Sequence, residues 1–284
     1  MTGRFSISFS GIPRRALMGM AGITLLALCV SPAMAGTIHY GSRCQGTFQN
    51  GWAPDINVDP ICSNFDSQIV TTGGNIVDFY FNLHGGENSL NYGNPSETCD
   101  SCGGADSVDF FIMSTHGTIA SNNADWAGYA MWDQSCPGGG SPGCFAWTPN
   151  MRFGSQGKEL KALATFSCDT LKSADGKLVN RWQSPFSGGL KVVVGGSELL
   201  WDDNTDVIGE EFAQLMQENF SIGTSWLNAV YNNDNDNNPA VANTGANKSA
   251  CWTRQGVTLG NLMSESVLRD SQIGYYCWTW WGQP

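Results

Sequence analysis

Three apolar runs dominate the hydrophobic pattern: Val108 to Ser114, Leu160 to Ser167 and Leu190 to Val194. Their apolar residues are continuous rather than alternating, which predicts strands covered on both faces, as in a parallel sheet. "NIVDFYFNLHGG", Asn75 to Gly86, is rich in β-branched and aromatic residues and reads as a further strand. After the third run the spacing changes. In "TDVIGEEFAQLMQENF" the apolar residues Ile208, Phe212, Leu215 and Met216 recur at helical spacing, with Thr205 or Asp206 as cap and Glu210 and Glu211 near the start. "IGTSWLNAVY" predicts a second, shorter helix, and "GVTLGNLMSESVLRDS" has room for a third. The connection from His116 to Glu159 offers no crossover helix and fits a parallel sheet least well.

The two ends of the chain read differently. Arg14 and Arg15 precede an apolar run from Ala16 to Val30, and "SPAMAG" supplies small residues around a cleavage point. This is the pattern of a secretory signal peptide over residues 1–35, cut near Ala35, although the paired arginines leave twin-arginine export open. Residues 36–74 read as an irregular N-terminal arm held by a bridge. "YNNDNDNNPAVANTGANKSA", Tyr231 to Ala250, reads as a solvated polar loop within a C-terminal extension, residues 232–284. Asp234, Asp236 and Asn238 alternate as calcium ligands do, but Pro239 stands where such a loop needs glycine, and no glutamate closes it. The expectation is one α/β domain over residues 36–284.

Cleavage removes three arginines and no acid, so the formal charge moves from −11 to −14. An acidic chain repels phosphate backbones, which argues against nucleic acid as a partner. No later segment is apolar for long enough to predict stable membrane insertion. Cys29 leaves with the signal, and nine cysteines remain. Pairing each with its neighbour gives 44 with 62, 99 with 102, 136 with 144 and 251 with 277, although sequence leaves the connectivity open. Nine is odd. Cys168 ends the apolar run "ALATFSC" and is the natural candidate for the free thiol.

Two strands thus end in a residue of catalytic type, "DFFIMST" in His116 and "ALATFS" in Cys168. In open α/β sheets the carboxyl ends of the strands line the crevice where ligands bind, so adjacent parallel strands would bring both side chains to one rim. A nearby imidazole makes a thiol a useful nucleophile. Gly117 would let the backbone approach a substrate and aim an N–H at a developing oxyanion. Taken singly, a cysteine or histidine at a strand end is more often structural. Joint placement and the odd cysteine count favour chemistry. His84, in "NLHGG", competes for the same role, but the strand of His116 immediately precedes the cysteine strand. His39 reads as structural or exposed. The tryptophans, Trp278, Trp280 and Trp281 among them, read as core residues before a sugar-stacking platform.

"FFIMSTHG", followed about fifty residues later by "LATFSCDTL", resembles the histidine and cysteine blocks of the caspase, gingipain and legumain group of cysteine peptidases. The chain is also similar to bacterial caspase-like domains with a "STHG" block and to an exported bacterial caspase-like family of unknown function. "GGLKVVVGG", "GEEFAQLM" and "SWLNAV" match the strand and helices that follow the cysteine in the latter. The resemblance spans about Val108 to Tyr231. It implies a caspase-like three-layer α/β sandwich with a mostly parallel central sheet, His116 as general base or acid, Cys168 as nucleophile, and the N–H groups of Gly117 and Cys168 as oxyanion donors. Cys168 is flanked by Ser167 and Asp169, not by the caspase residues, so aspartate specificity does not carry over. Asp169, Asp202 and Asp203 are acidic neighbours that would favour a basic substrate side chain.

The expectation is a secreted cysteine peptidase-like hydrolase acting on peptide or protein substrates, with no metal or organic cofactor. A disulfide-stapled binding or surface protein of the same shape, without turnover, is the alternative. A calcium-dependent adhesion module on the Asn/Asp loop is a weaker one.

Overall fold

The computed structural model describes residues 38–48, 53–71, 77–82, 105–130, 145–154 and 160–282. In chain order these form β1 (Ile38–Cys44), α1 (Asp59–Thr71), β2 (Val77–Asn82), β3 (Phe110–Ser114), β4 (Gly117–Ala120), β5 (Asn123–Ala130), β6 (Phe145–Trp147) and β7 (Ala162–Phe166). There follow α2 (Leu178–Ser187), β8 (Val192–Gly196), α3 (Thr205–Gln217), α4 (Ile222–Asn233), β9 (Pro239–Gly245), α5 (Lys248–Arg254) and β10 (Tyr275–Trp280).

The larger sheet has seven strands in the order β10-β9-β8-β7-β3-β1-β2. Strands β2, β1, β3, β7 and β8 run parallel; β9 pairs antiparallel with β8, and β10 antiparallel with β9. The continuous apolar runs are explained by burial on both faces. Phe110 and Ile112 of β3 join a core with Phe65 of α1, Phe212 of α3 and Trp226 of α4. Their alternates Phe111 and Met113 face a second core with Trp182 and Phe186 of α2 and Tyr129 of β5. Helices α1, α3 and α4 therefore cover one face, and α2 with the small β4-β5-β6 sheet covers the other.

That small antiparallel sheet occupies the His116–Glu159 connection where no helix was expected. Helix α2, in contrast, has no clear sequence signal. Pro185 lies inside it, and its buried Arg181 breaks the apolar pattern. Arg181 is satisfied by the carbonyls of Ala124 and Lys172, at 2.9 and 2.8 Å, and by the Asp175 carboxylate.

Three expectations are corrected. The N-terminal arm is not irregular, because it supplies β1, between β2 and β3, and helix α1. Seven residues of the predicted polar loop, Pro239–Gly245, are β9, fully buried between β8 and β10. Most of its residues are small, and buried Asn243 donates to the Lys191 carbonyl at 3.3 Å, while Asn243 Oδ1 and Thr244 Oγ1 are buried without a hydrogen-bond partner among the described residues. Trp278 and Trp280 are not core residues: on the outermost strand β10 they are 37% and 50% exposed. Trp281 packs against Tyr231, with ring centroids 5.9 Å apart.

Disulfides join Cys44 to Cys62 and Cys251 to Cys277, and Cys168 is the free cysteine among the described residues. Residues 1–35, His84 and the pairs 99–102 and 136–144 lie outside the described residues. Among those described, no helix is long and apolar enough to cross a membrane, and no cluster of three or more His, Cys, Asp or Glu could hold a metal ion.

Candidate active site

Strands β3 and β7 pair in parallel with Ser114 opposite Phe166. His116 and Cys168 each lie two residues beyond that last pair, so the register brings them out abreast at the carboxyl edge. Here the strand order turns back on itself. β1 leads to α1 on one face and β3 leads to the small sheet on the other, so their departing loops leave a crevice. A cavity of about 260 Å³ fills it, and both His116 and Cys168 line it.

Gly117 explains how closely the two strand ends approach. A Cβ built there would meet the Cys168 carbonyl oxygen at 2.1 Å and the Cys168 nitrogen at 2.8 Å, so only glycine fits. Ala130 N donates to His116 O at 2.9 Å, which makes 116 and 130 a hydrogen-bonded pair of the β4-β5 ladder. Gly117 and Tyr129 are then the next, non-hydrogen-bonded pair, and the Gly117 N–H turns away from β5. The Cys168 N–H makes no backbone hydrogen bond among the described residues.

The imidazole is held from the loop between β1 and α1. Its Nε2 lies 2.8 Å from the Pro54 carbonyl, and its ring stacks on Phe48 at a centroid distance of 5.3 Å. A carbonyl oxygen can only accept, so Nε2 carries the proton in this contact and Nδ1 is the acceptor of the neutral ring. The loop is anchored in turn. Ile56 N donates to Gly46 O at 2.9 Å, Asn57 N to Asp202 Oδ2 at 2.8 Å, and Thr205 Oγ1 to Asn57 O at 2.8 Å. The Cys44–Cys62 disulfide ties its two ends.

The thiol points at the loop after β8. Sγ donates to Leu200 O at 3.6 Å and accepts from Leu200 N at 3.4 Å. Burial pushes the Cys168 thiol above its ordinary pKa, the carboxylates of Asp169 and Asp202 add to this, and the Leu200 contact pulls the other way. Thiol and imidazole each hold a main-chain carbonyl and do not hydrogen-bond to one another.

The acidic candidates separate. Asp202 lines the cavity, where its carboxylate bridges to the Asn57 N–H of the opposite wall. Asp169 is outside the cavity. It adopts φ 57°, turning the chain sharply after Cys168, and pairs with Lys172 at 2.9 Å. Asp203 is exposed and also outside. His39 belongs to a different place, on β1, where Asp109 lies 3.6 Å from its Nδ1 and also pairs with Lys161.

Two participants had no sequence signal. Pro54 acts through its carbonyl, which every residue possesses. Asn237 was hidden in the polar repeat, yet it is fully buried and its amide holds both the N–H and the carbonyl of Trp201 in the cavity wall.

Fold and site together define a disulfide-bonded, mixed α/β protein with a crevice at the carboxyl edge of a mostly parallel sheet. Residues 59–280 match the family described as a domain of unknown function, DUF6345, and the chain belongs to that family. No curated protein matches the chain.

Proposed function

We propose that the protein is an exported cysteine peptidase, or an enzyme of related acyl-transfer chemistry, with a caspase-like fold. The observation that carries this reading is the shared cavity. A free thiol and an imidazole whose Nε2 is held by Pro54, leaving Nδ1 as its acceptor, both line it at the ends of two paired strands.

In the proposed reaction Cys168 Sγ attacks the substrate carbonyl carbon while its proton passes to His116 Nδ1. Because the thiol is held neutral, the proton moves during attack rather than beforehand. The carbonyl electron pair becomes an oxyanion near the Gly117 N–H, which turns away from β5, and the Cys168 N–H, which has no backbone partner among the described residues. Collapse of this intermediate breaks the C–N bond, and the amine leaves with the proton from Nδ1. Water, deprotonated by the same nitrogen, then hydrolyses the thioester and restores the thiol.

The rival is a binding scaffold without turnover, favoured by the thiol's bond to Leu200 O and its raised pKa. Labelling the non-reduced folded protein with iodoacetamide separates the two. The enzyme reading expects Cys168 to be alkylated, peptide hydrolysis to stop with the label, and Cys168→Ala to abolish hydrolysis with an unchanged melting temperature. An unreactive Cys168, or hydrolysis that survives Cys168→Ala, sinks it.

A further inference from the structure

We infer that the cavity beside Cys168 selects acyl donors carrying a large apolar side chain, such as leucine, methionine or phenylalanine, next to the attacked carbonyl. This rests on Cys168 as the nucleophile. Since Cys168 itself lines the cavity, the nearest substrate side chain is the one that enters it.

The walls decide the chemistry. Ile56 and Val58 from the loop after β1, Phe166 from the end of β7, and Leu199, Leu200 and Trp201 from the loop after β8 line the cavity. Leu199 and Trp201 are each 51% exposed, large apolar residues left facing solvent on the lip. They are not on a slack loop. Leu200 is bound through its N–H and carbonyl to Cys168 Sγ, and Trp201 through both of its main-chain groups to Asn237. An exposed apolar surface held in place and continuous with an apolar cavity is a preformed binding wall. The volume, about 260 Å³, falls below the range of roughly 300–1,000 Å³ that takes a drug-sized ligand, so one side chain and its adjoining backbone fit better than a cofactor. Ser167 adds a buried hydroxyl with no hydrogen-bond partner among the described residues, an open polar contact for that backbone.

A basic side chain is the competing occupant, because Asp202 is in the wall and the chain is acidic. Asp202 is the one carboxylate in the wall, and its Oδ2 already accepts the Asn57 N–H from the opposite side. A guanidinium pushed past it would lie against Ile56, Val58 and Phe166, and burying an incompletely paired charge there is unfavourable. Net charge can hasten arrival of basic substrates without changing which side chain fits.

Two measurements test this. Acyloxymethyl ketone peptides ending in Leu, Phe, Ala, Arg or Asp are compared for their rate of labelling Cys168, the sulfur displacing the acyloxy carboxylate in each. Leu and Phe should exceed Ala by on the order of 100-fold and exceed Arg and Asp by more. Trp201→Ala, a change at an exposed position, should erode the Phe advantage about tenfold. Separately, the Cys168→Ala protein is titrated with acetyl-Ala-Ala-Leu-amide and acetyl-Ala-Ala-Arg-amide by calorimetry, with tighter binding of the Leu peptide expected. Arg or Asp labelling fastest overturns the apolar pocket while leaving the nucleophile standing. Preferential Leu binding to Cys168→Ala, with no peptide labelling the native thiol, keeps the pocket and overturns the enzyme. If no side chain is preferred in either assay, the inference is wrong.

Discussion

His116 donates from Nε2 to the carbonyl of Pro54, 2.8 Å away on the loop between β1 and α1. Ring orientation therefore depends on that loop, and the loop on the Cys44–Cys62 disulfide that closes it.

The double variant Cys44→Ser/Cys62→Ser should be less stable by about 3 kcal/mol, the scale for closing a loop of this length. At a temperature where the variant remains folded, kcat should fall by up to about 100-fold, the contribution of an oriented general base. Hydrolysis rates beside circular dichroism at that temperature check this. Unchanged kcat in the folded variant would show that the loop does not position His116.

Gly117 tolerates no side chain, because the Cβ of alanine would overlap the Cys168 main chain. Gly117→Ala should force the two strand ends apart. The expected result is a kcat about 100-fold lower, since an ångström of misplacement is enough for that, with destabilisation of about 1–3 kcal/mol. Steady-state kinetics and urea unfolding together measure both effects.

Burial and the nearby carboxylates raise the Cys168 pKa, so the thiolate fraction at neutral pH is lower than for a free cysteine. Alkylation of the folded protein should therefore be slow at pH 7 and climb at a higher pH than it does for a cysteine peptide. Asp169→Asn removes one of the charges that disfavour the thiolate and keeps a residue that tolerates φ 57°. Its alkylation profile should move toward lower pH. A profile that does not move would mean that Lys172 already cancels the Asp169 charge.

Lys191 is buried, with its ammonium donating to the carbonyls of Leu262 and Glu265. Burial, with nearby Lys161 and Arg254, holds its pKa down to about 8, against 10.5 ordinarily. Between those values the unfolded chain binds a proton that the folded chain does not. Stability should therefore fall as pH drops from about 10.5 to about 8, by on the order of 3 kcal/mol in total, and level off below. Urea unfolding of the native protein against Lys191→Met, from pH 7 to 10, isolates this contribution. Parallel pH curves for the two proteins would contradict it.

Sequence alone determined the buried centre of the sheet and the helices after it. Unbroken apolar runs such as "DFFIMS" and "KVVV" have no stable place except between two covering layers, and the helical spacing in "GEEFAQLM" puts Phe212 and Met216 on one buried face. It also determined which cysteine stands apart, because Cys168 alone follows one of the three unbroken apolar runs. β1 and β9 were not legible. "IHYGSRC" and "PAVANTG" carry small and polar residues whose burial is favourable only once partners such as Asp66, which accepts from Ser42 at 2.9 Å, and the Lys191 carbonyl are in place. Only the tertiary structure decided what surrounds the sulfur and the imidazole. Main-chain groups of Pro54, Leu200 and Gly117 do that work, and every residue carries such groups, so their use depends on how the chain folds back and leaves no trace in the order of side chains.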